Sequence, residues 1–456
     1  MRLKIWPFAA AGTIAATALA TAAVWSQVPA TTQVTFAATP PTGRYTPPIF
    51  GATTHFGMGR PLGYTNGARA AAQLRSIGAG SYRDGIIWAQ FSFPPNGSPV
   101  IKDPRRIVGF LPVAGARPLF SLGGPPFPLQ QNGMPLNDAQ LKQFAEYVEA
   151  LVRMTSPYNT IFEVWNEWNL RVDWQKPATR LSGAGDPSDA RAAVHYAAVA
   201  KVAVQAAKRA NPSAPVVVGA VGDDPDWQWT QAIVRDGALD GADGLSVHTY
   251  NHCQGPRNRT ANEMVNRLQR LQTLLRQQRG GRDTPIYVTE FGWPTVDGKC
   301  DISRERQGYN FAHYILQSAT LPWLRGSWAY ELKDEGQDPN DREQNFGIFG
   351  YDDQPKPAAC FIKEARAIVA GARAVELQLP RPDIFVLRAV MPDRQLAVVW
   401  TNSLTPSSGV RFTARPSGVR MMCGDAAATD GTLPIGQAPL VARYPLGQPI
   451  ALSITG

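Results

Sequence analysis

Apolar positions in this chain follow two periods in turn. Short apolar runs of strand length alternate with longer stretches in which apolar residues recur every three or four positions. The strand-like runs are residues 49–56, 81–88, 117–122, the stretch opening at Ile161, then 215–221, 244–250, 285–291 and 327–332. Helical patterns follow them at 66–77, 104–112, 138–154, 188–210, 227–235, 262–278, 303–319 and 356–369. The clearest is 138–154, where Leu141, Phe144, Ala145, Val148, Leu151 and Val152 share one face. Eight such alternations predict an α/β fold, a (β/α)8 TIM barrel. A doubly wound open sheet competes, but no glycine-rich nucleotide loop follows the first strand. After Gly371 the pattern becomes short strands broken by Pro, Gly, Asp or Ser, which predicts a small C-terminal antiparallel β domain, sandwich-like, over 372–456. The barrel is then expected over 49–371.

The first residues read differently. Arg2 and Lys4 precede an uncharged apolar run from Ile5 to Trp25, so residues 1–25 are expected to be a signal peptide or signal anchor. Ala18-Leu19-Ala20 offers a cleavage site, while the length of the run also suits a membrane span. Residues 26–48, rich in Pro and Thr, read as a linker. The net charge of +9 is scattered, with no basic run of the kind that binds nucleic acid. Cys253, Cys300, Cys360 and Cys423 contain no CxxC, and none of the five histidines is paired at ligand spacing on one strand or helix, so no metal and no cofactor are expected. Cys253 and Cys300 follow strands six and seven and are expected to bond each other. Cys360 and Cys423 would then tie the last barrel helix to the β domain, in a protein exported to an oxidising compartment.

Two strands end in chemistry. Ile161-Phe162-Glu163-Val164 runs into Trp165-Asn166-Glu167-Trp168, and Ile286-Tyr287-Val288-Thr289 into Glu290-Phe291-Gly292-Trp293. A barrel carries its active site at the C-terminal strand ends, so strands four and seven would bring Glu167 and Glu290 to one mouth. Paired carboxylates there suit glycosidic bond hydrolysis, with one acid and one nucleophile or base. Trp165 and Trp168 would give the acid an apolar wall, which favours its protonated form. His55, Arg83, His248, Tyr250, Trp328 and Tyr330 fall near the same level, the last two on one face of strand eight. Each also has a plain structural reading, as a core histidine, a counter-ion or packing. Their convergence is what favours a site.

These motifs resemble those of the clan A glycoside hydrolases, and within the clan are most similar to glycoside hydrolase family 39 and related bacterial exopolysaccharide hydrolases. The resemblance covers about residues 49–370. It implies a retaining double displacement with Glu167 as acid/base and Glu290 as nucleophile. Asn166 would bind the sugar 2-hydroxyl, Arg83 and Tyr250 would hold Glu290 ionised, and His248 would support Glu167 or the sugar. Trp168 departs from the proline that many relatives carry, and Tyr330 stands where a platform tryptophan is expected.

Three other classes compete: an inactive glycan-binding scaffold of polysaccharide export, a transglycosylase, and a metal-dependent hydrolase. Trp88, Trp174, Trp227, Trp229 and Trp293 near strand ends point to a polymer or long oligosaccharide cut internally in an aromatic-lined groove, and the positive charge would help retain a glycan bearing carboxylates. Asp223, Asp224 and Asp226 either contact that substrate or cap the following helix. A monomer is expected, with membrane attachment through the N-terminal segment left open.

Overall fold

The computed structural model describes residues 31–39, 41–57, 62–124, 135, 137–170, 190–298 and 300–456. The signal segment and Trp174 lie outside them. Eight parallel strands form a closed barrel: Ile49–Thr53, Ser81–Gly85, Arg117–Leu122, Ile161–Val164, Val216–Val221, Gly244–His248, Ile286–Phe291 and Leu324–Ala329. The eighth closes on the first, with Ser327 in register with Phe50. Strand one ends at Thr53 and strand eight begins at Leu324, so both sit a few residues earlier than the apolar runs suggest. His55 and Tyr330 therefore stand on the loops beyond the strands.

The barrel interior is built in layers. At the lower end Leu119, Ile161, Val217 and Trp328 form a separate buried cluster, with Ile49 and Tyr287 against it. The Trp328 indole occupies the space a Cβ at Gly51 would need, and its Nε1 donates to Ser81 Oγ at 2.9 Å. Trp328 thus belongs to the barrel floor. Tyr330 does share its parity, but two residues of extended chain advance roughly 7 Å, enough to move from floor to mouth. By the same alternation Glu163 lies one layer above Ile161, and Arg83 one layer above Ser81. An apolar plug below supports a charged layer above.

The chain after Gly371 folds into a six-stranded and a four-stranded antiparallel sheet. Val386, Val399 and Ala442 of the larger sheet and Val410, Leu452 and Ile454 of the smaller share one core, as in a sandwich. The four-stranded sheet includes Thr31–Phe36, which pairs antiparallel with Ile450–Thr455. Part of the expected linker is therefore a strand. Its signal was a period of two, with Val34 and Phe36 inward and Thr31, Gln33 and Thr35 outward, hidden in a Thr- and Pro-rich composition. The opposite face of the large sheet packs on the barrel, where Trp400 stacks on His313 of the helix Arg304–Ser318 with centroids 5.5 Å apart. Cys360 and Cys423 are joined by a disulfide across the same boundary, and Cys253 and Cys300 are joined at the barrel mouth.

Candidate active site

Strand four ends at Val164 and the chain turns sharply, Trp165 and Glu167 taking left-handed φ values of 71° and 47°. Such angles cost roughly 1–3 kcal/mol each and persist only where neighbours fix them. Here the Trp165 amide donates to Leu122 O at 2.8 Å, the Glu167 amide to Ala220 O at 2.9 Å, and the Ser121 hydroxyl to Trp165 O at 2.8 Å. The turn presents Asn166 and Glu167 to the mouth. Gly222 makes room for it, since a Cβ there would run into Leu170 and lie 3.1 Å from the Glu167 carboxyl carbon.

Arg83 is the hub of the charged layer. Its Nε donates to Glu163 Oε2 at 2.8 Å, Nη1 to Glu290 Oε1 at 2.5 Å and Nη2 to Asn166 Oδ1 at 2.7 Å. Burial alone would lower the guanidinium pKa, but the Glu163 and Glu290 carboxylates raise it above its ordinary value, so it stays charged. The Tyr250 hydroxyl donates to Glu290 Oε2 at 2.7 Å, and burial together with the Glu290 anion holds that phenol well above its usual range. His248 stands in register with Glu290 on the neighbouring strand. Its Nδ1 lies 2.9 Å from Glu167 Oε1 and 3.5 Å from Glu290 Oε2. Burial works to lower this imidazole, but Glu290 and Glu167 outweigh it and the pKa rises. One atom each from Glu167, His248 and Glu290 falls within 4.8 Å of the others. The Glu167 side chain is 28% exposed and that of Glu290 10%.

These groups border a cavity of about 1100 Å³ at the C-terminal end of the barrel. His55, Arg83, Trp165, Asn166, Glu167, Tyr250, Glu290 and Tyr330 line it, and His248 stands behind its two glutamates.

A family model described as Cellulase (glycosyl hydrolase family 5) matches residues 129–331, from ahead of strand four to just past strand eight. Residues 129–331 thus carry a glycoside hydrolase domain of clan A. Several solved structures share the fold of this glycoside hydrolase. A family 39 glycoside hydrolase from the gut symbiont Bacteroides cellulosilyticus WH2 superposes with a TM-score of 0.65 at 18% identity, covering 87% of this chain and 81% of that one. A monomeric β-xylosidase from Caulobacter crescentus CB15 gives 0.52 at 15% identity, over 90% and 97% of the two chains. A GH5_18 protein from Streptomyces cattleya in complex with GlcNAc gives 0.52 at 16%, over 74% and 83%. A search of curated proteins finds no match.

Not every residue expected at the site of this glycoside hydrolase reaches it. Trp168 is fully buried behind Trp165, edge-on to it at 5.1 Å and packed on Tyr196, so one indole rather than two faces the cavity. Trp328 lies in the floor. Trp88, Trp227, Trp229 and Trp293 are core residues, with the Trp227 and Trp293 Nε1 groups donating to Arg267 O and Asn251 Oδ1. The aromatic-lined groove is therefore not built from them; apolar helices cover the barrel's outer face and absorb large side chains there. Asp224 caps the helix Gln228–Arg235, accepting from the Thr230 amide at 2.9 Å, while Asp223 lines the cavity.

The hydrolase also holds groups that sequence reasoning passed over. Glu163 is the buried partner of Arg83. Asp84 accepts from the Thr54 hydroxyl at 2.6 Å and from the Phe56, Gly57 and Gly85 amides at 2.7–3.0 Å, which fixes the loop carrying His55. His55 Nε2 lies 3.2 Å from Glu331 and 3.0 Å from Glu335. Burial would depress that imidazole, yet the two carboxylates raise it to about 10, and burial raises Glu331 to about 8. The available signal was placement: a charge at an inward position of an otherwise apolar strand, or just past a strand end.

Proposed function

We propose that this glycoside hydrolase cleaves its substrate by retaining double displacement, with Glu167 as acid/base and Glu290 as nucleophile. One observation carries the reading. Carboxylate oxygens of the two residues approach within 4.8 Å. Retaining enzymes hold the pair about 5–5.5 Å apart, whereas inverting enzymes need about 6.5–9.5 Å to admit a water. Arg83 and Tyr250 hydrogen-bond the Glu290 carboxylate and aim it. Glu167, the more exposed carboxyl, stands between the Trp165 turn and His248. Asn166, held by Arg83, meets the sugar 2-hydroxyl, and Tyr330 offers a ring where relatives have tryptophan. A Glu290 oxygen bonds to the anomeric carbon as the bond to the leaving oxygen breaks, and that oxygen takes the Glu167 proton. Water then gives a proton to Glu167, attacks the anomeric carbon and releases Glu290.

The substrate is a polysaccharide or long oligosaccharide, cut internally. A cavity of about 1100 Å³ exceeds the range usual for small-molecule sites and has room for more than one sugar ring. Its described lining holds more carboxylates than guanidinium groups, Asp84, Glu167, Asp223, Glu290 and Glu343 against Arg83 and Arg342, so the surplus of basic residues lies elsewhere. The cleft thus lends no support to an acidic glycan. The two disulfides support export to the periplasm or beyond, and the protein acts as a monomer. No helix among the described residues is long and apolar enough to cross a membrane, so attachment would fall to residues 1–25. Chromatography of early products on the source cell's exopolysaccharide decides the mode of action. Mixed-length oligosaccharides are expected, and monosaccharide alone from the first minutes would reverse the endo reading.

A further inference from the structure

Glu163 lies inside the barrel with none of its surface exposed, one oxygen 2.8 Å from Arg83 Nε and the other accepting no hydrogen bond from a described residue. Burying a carboxylate this way is expensive, and removing one partner of such a pair leaves an uncompensated buried charge. A glutamine would offer Arg83 the same kind of acceptor without that cost. What the carboxylate adds is charge.

The charge matters because of what happens to the other anion. With Glu290 ionised, the Arg83 guanidinium has a carboxylate at 2.8 Å and another at 2.5 Å. Once Glu290 carries the sugar as an ester it is neutral, and the anion left against the guanidinium is Glu163. We infer that Glu163 is a positioning residue and the permanent counter-ion of Arg83. It holds the Nε edge, so that Nη1 and Nη2 stay aimed at Glu290 and Asn166. It also compensates the buried guanidinium while Glu290 is esterified. Without it the cation is drawn onto Glu290 before attack and left unbalanced after it, so both chemical steps slow while sugar binding is spared. This rests on Glu290 being the nucleophile.

The test uses a 4-nitrophenyl glycoside that the wild type turns over, chosen from a panel, and the 2,4-dinitrophenyl 2-deoxy-2-fluoro glycoside of the same sugar. Labelling the wild type with the latter and mapping the adduct comes first, since a label on any residue but Glu290 defeats the nucleophile assignment itself. Glu163→Gln should then lose about ten- to a hundredfold in kcat per labelled site with KM changed less than about threefold, the scale expected from a displaced catalytic group. Normalising to labelled sites removes any loss from misfolded protein, and Glu163→Asp serves if the glutamine variant does not fold. Combined with Arg83→Lys, the losses should be strongly non-additive, because both act through one guanidinium. Unchanged kcat, a change in KM alone, or additive losses with Glu290 still labelled would overturn the inference and leave the nucleophile assignment standing.

Discussion

Two trios of one histidine and two glutamates stand at the same end of this barrel, and they are not alike. In one, His248 bridges Glu167 and Glu290; in the other, His55 bridges Glu331 and Glu335. Each places three potential ligand atoms within 4.8 Å of one another. The first opens on the cavity through Glu167 and carries an arginine. In the second, Glu331 has no exposed surface, lies 3.2 Å from the His55 ring and accepts from the Tyr64 hydroxyl at 3.3 Å. Burial outweighs the neighbouring His55 cation and pushes Glu331 up to about 8, with the Glu335 carboxylate adding to the rise. Proximity of a histidine and two carboxylates does not make a reactive centre. In the proposed reading, what sets the first trio apart is the Arg83 guanidinium held against Glu290.

The comparison is broken most severely by removing one carboxylate from each trio. Glu290→Gln should lower turnover by about three orders of magnitude or more without lowering the melting temperature. Glu167→Gln should lose about 10²–10⁴-fold on poor leaving groups and far less on activated aryl glycosides, because only the former need a proton. Glu331→Gln should keep turnover within about tenfold. Equal losses from Glu290→Gln and Glu331→Gln would erase the distinction between the trios.

A smaller effect sharpens it. Glu331 rises from an ordinary 4.5 to about 8, so the folded protein holds its proton more tightly than the unfolded chain. The stability this contributes is complete below about 4.5 and is lost as pH rises through about 8. His55, raised from 6.5 to about 10, has the same sign over a higher window. The urea midpoint should therefore fall between about pH 6.5 and pH 8, above the range in which His252 and His313, each lowered to about 4, act in the opposite sense, and Glu331→Gln should reduce that slope. A wild-type midpoint that is level or rising over this range would contradict the placement of the second trio.

The difference between the trios also marks what could be read from sequence. Glu167 and Glu290 each end an apolar strand, and period-two strands alternating with helical patterns say where strand ends must go. Arg83 was legible for the same reason, as a charge at an inward position. Glu163 was visible only as a flaw in an apolar strand, because nothing local says which cation waits across the barrel. Glu331 and Glu335 lie past a strand that ends at Ala329, three residues before the apolar run does. Among the tryptophans, Trp328 and Trp168 were misplaced because parity gives a face but not a depth, and depth decides between barrel floor, mouth and outer core.

The central claim is that Glu167 and Glu290 act across one bond at retaining separation. Proton NMR of the first product released from an aryl glycoside, recorded before mutarotation, tests it most directly. The anomeric proton should first appear with the configuration of the substrate. First appearance of the opposite anomer would contradict the double displacement and the roles given to both glutamates.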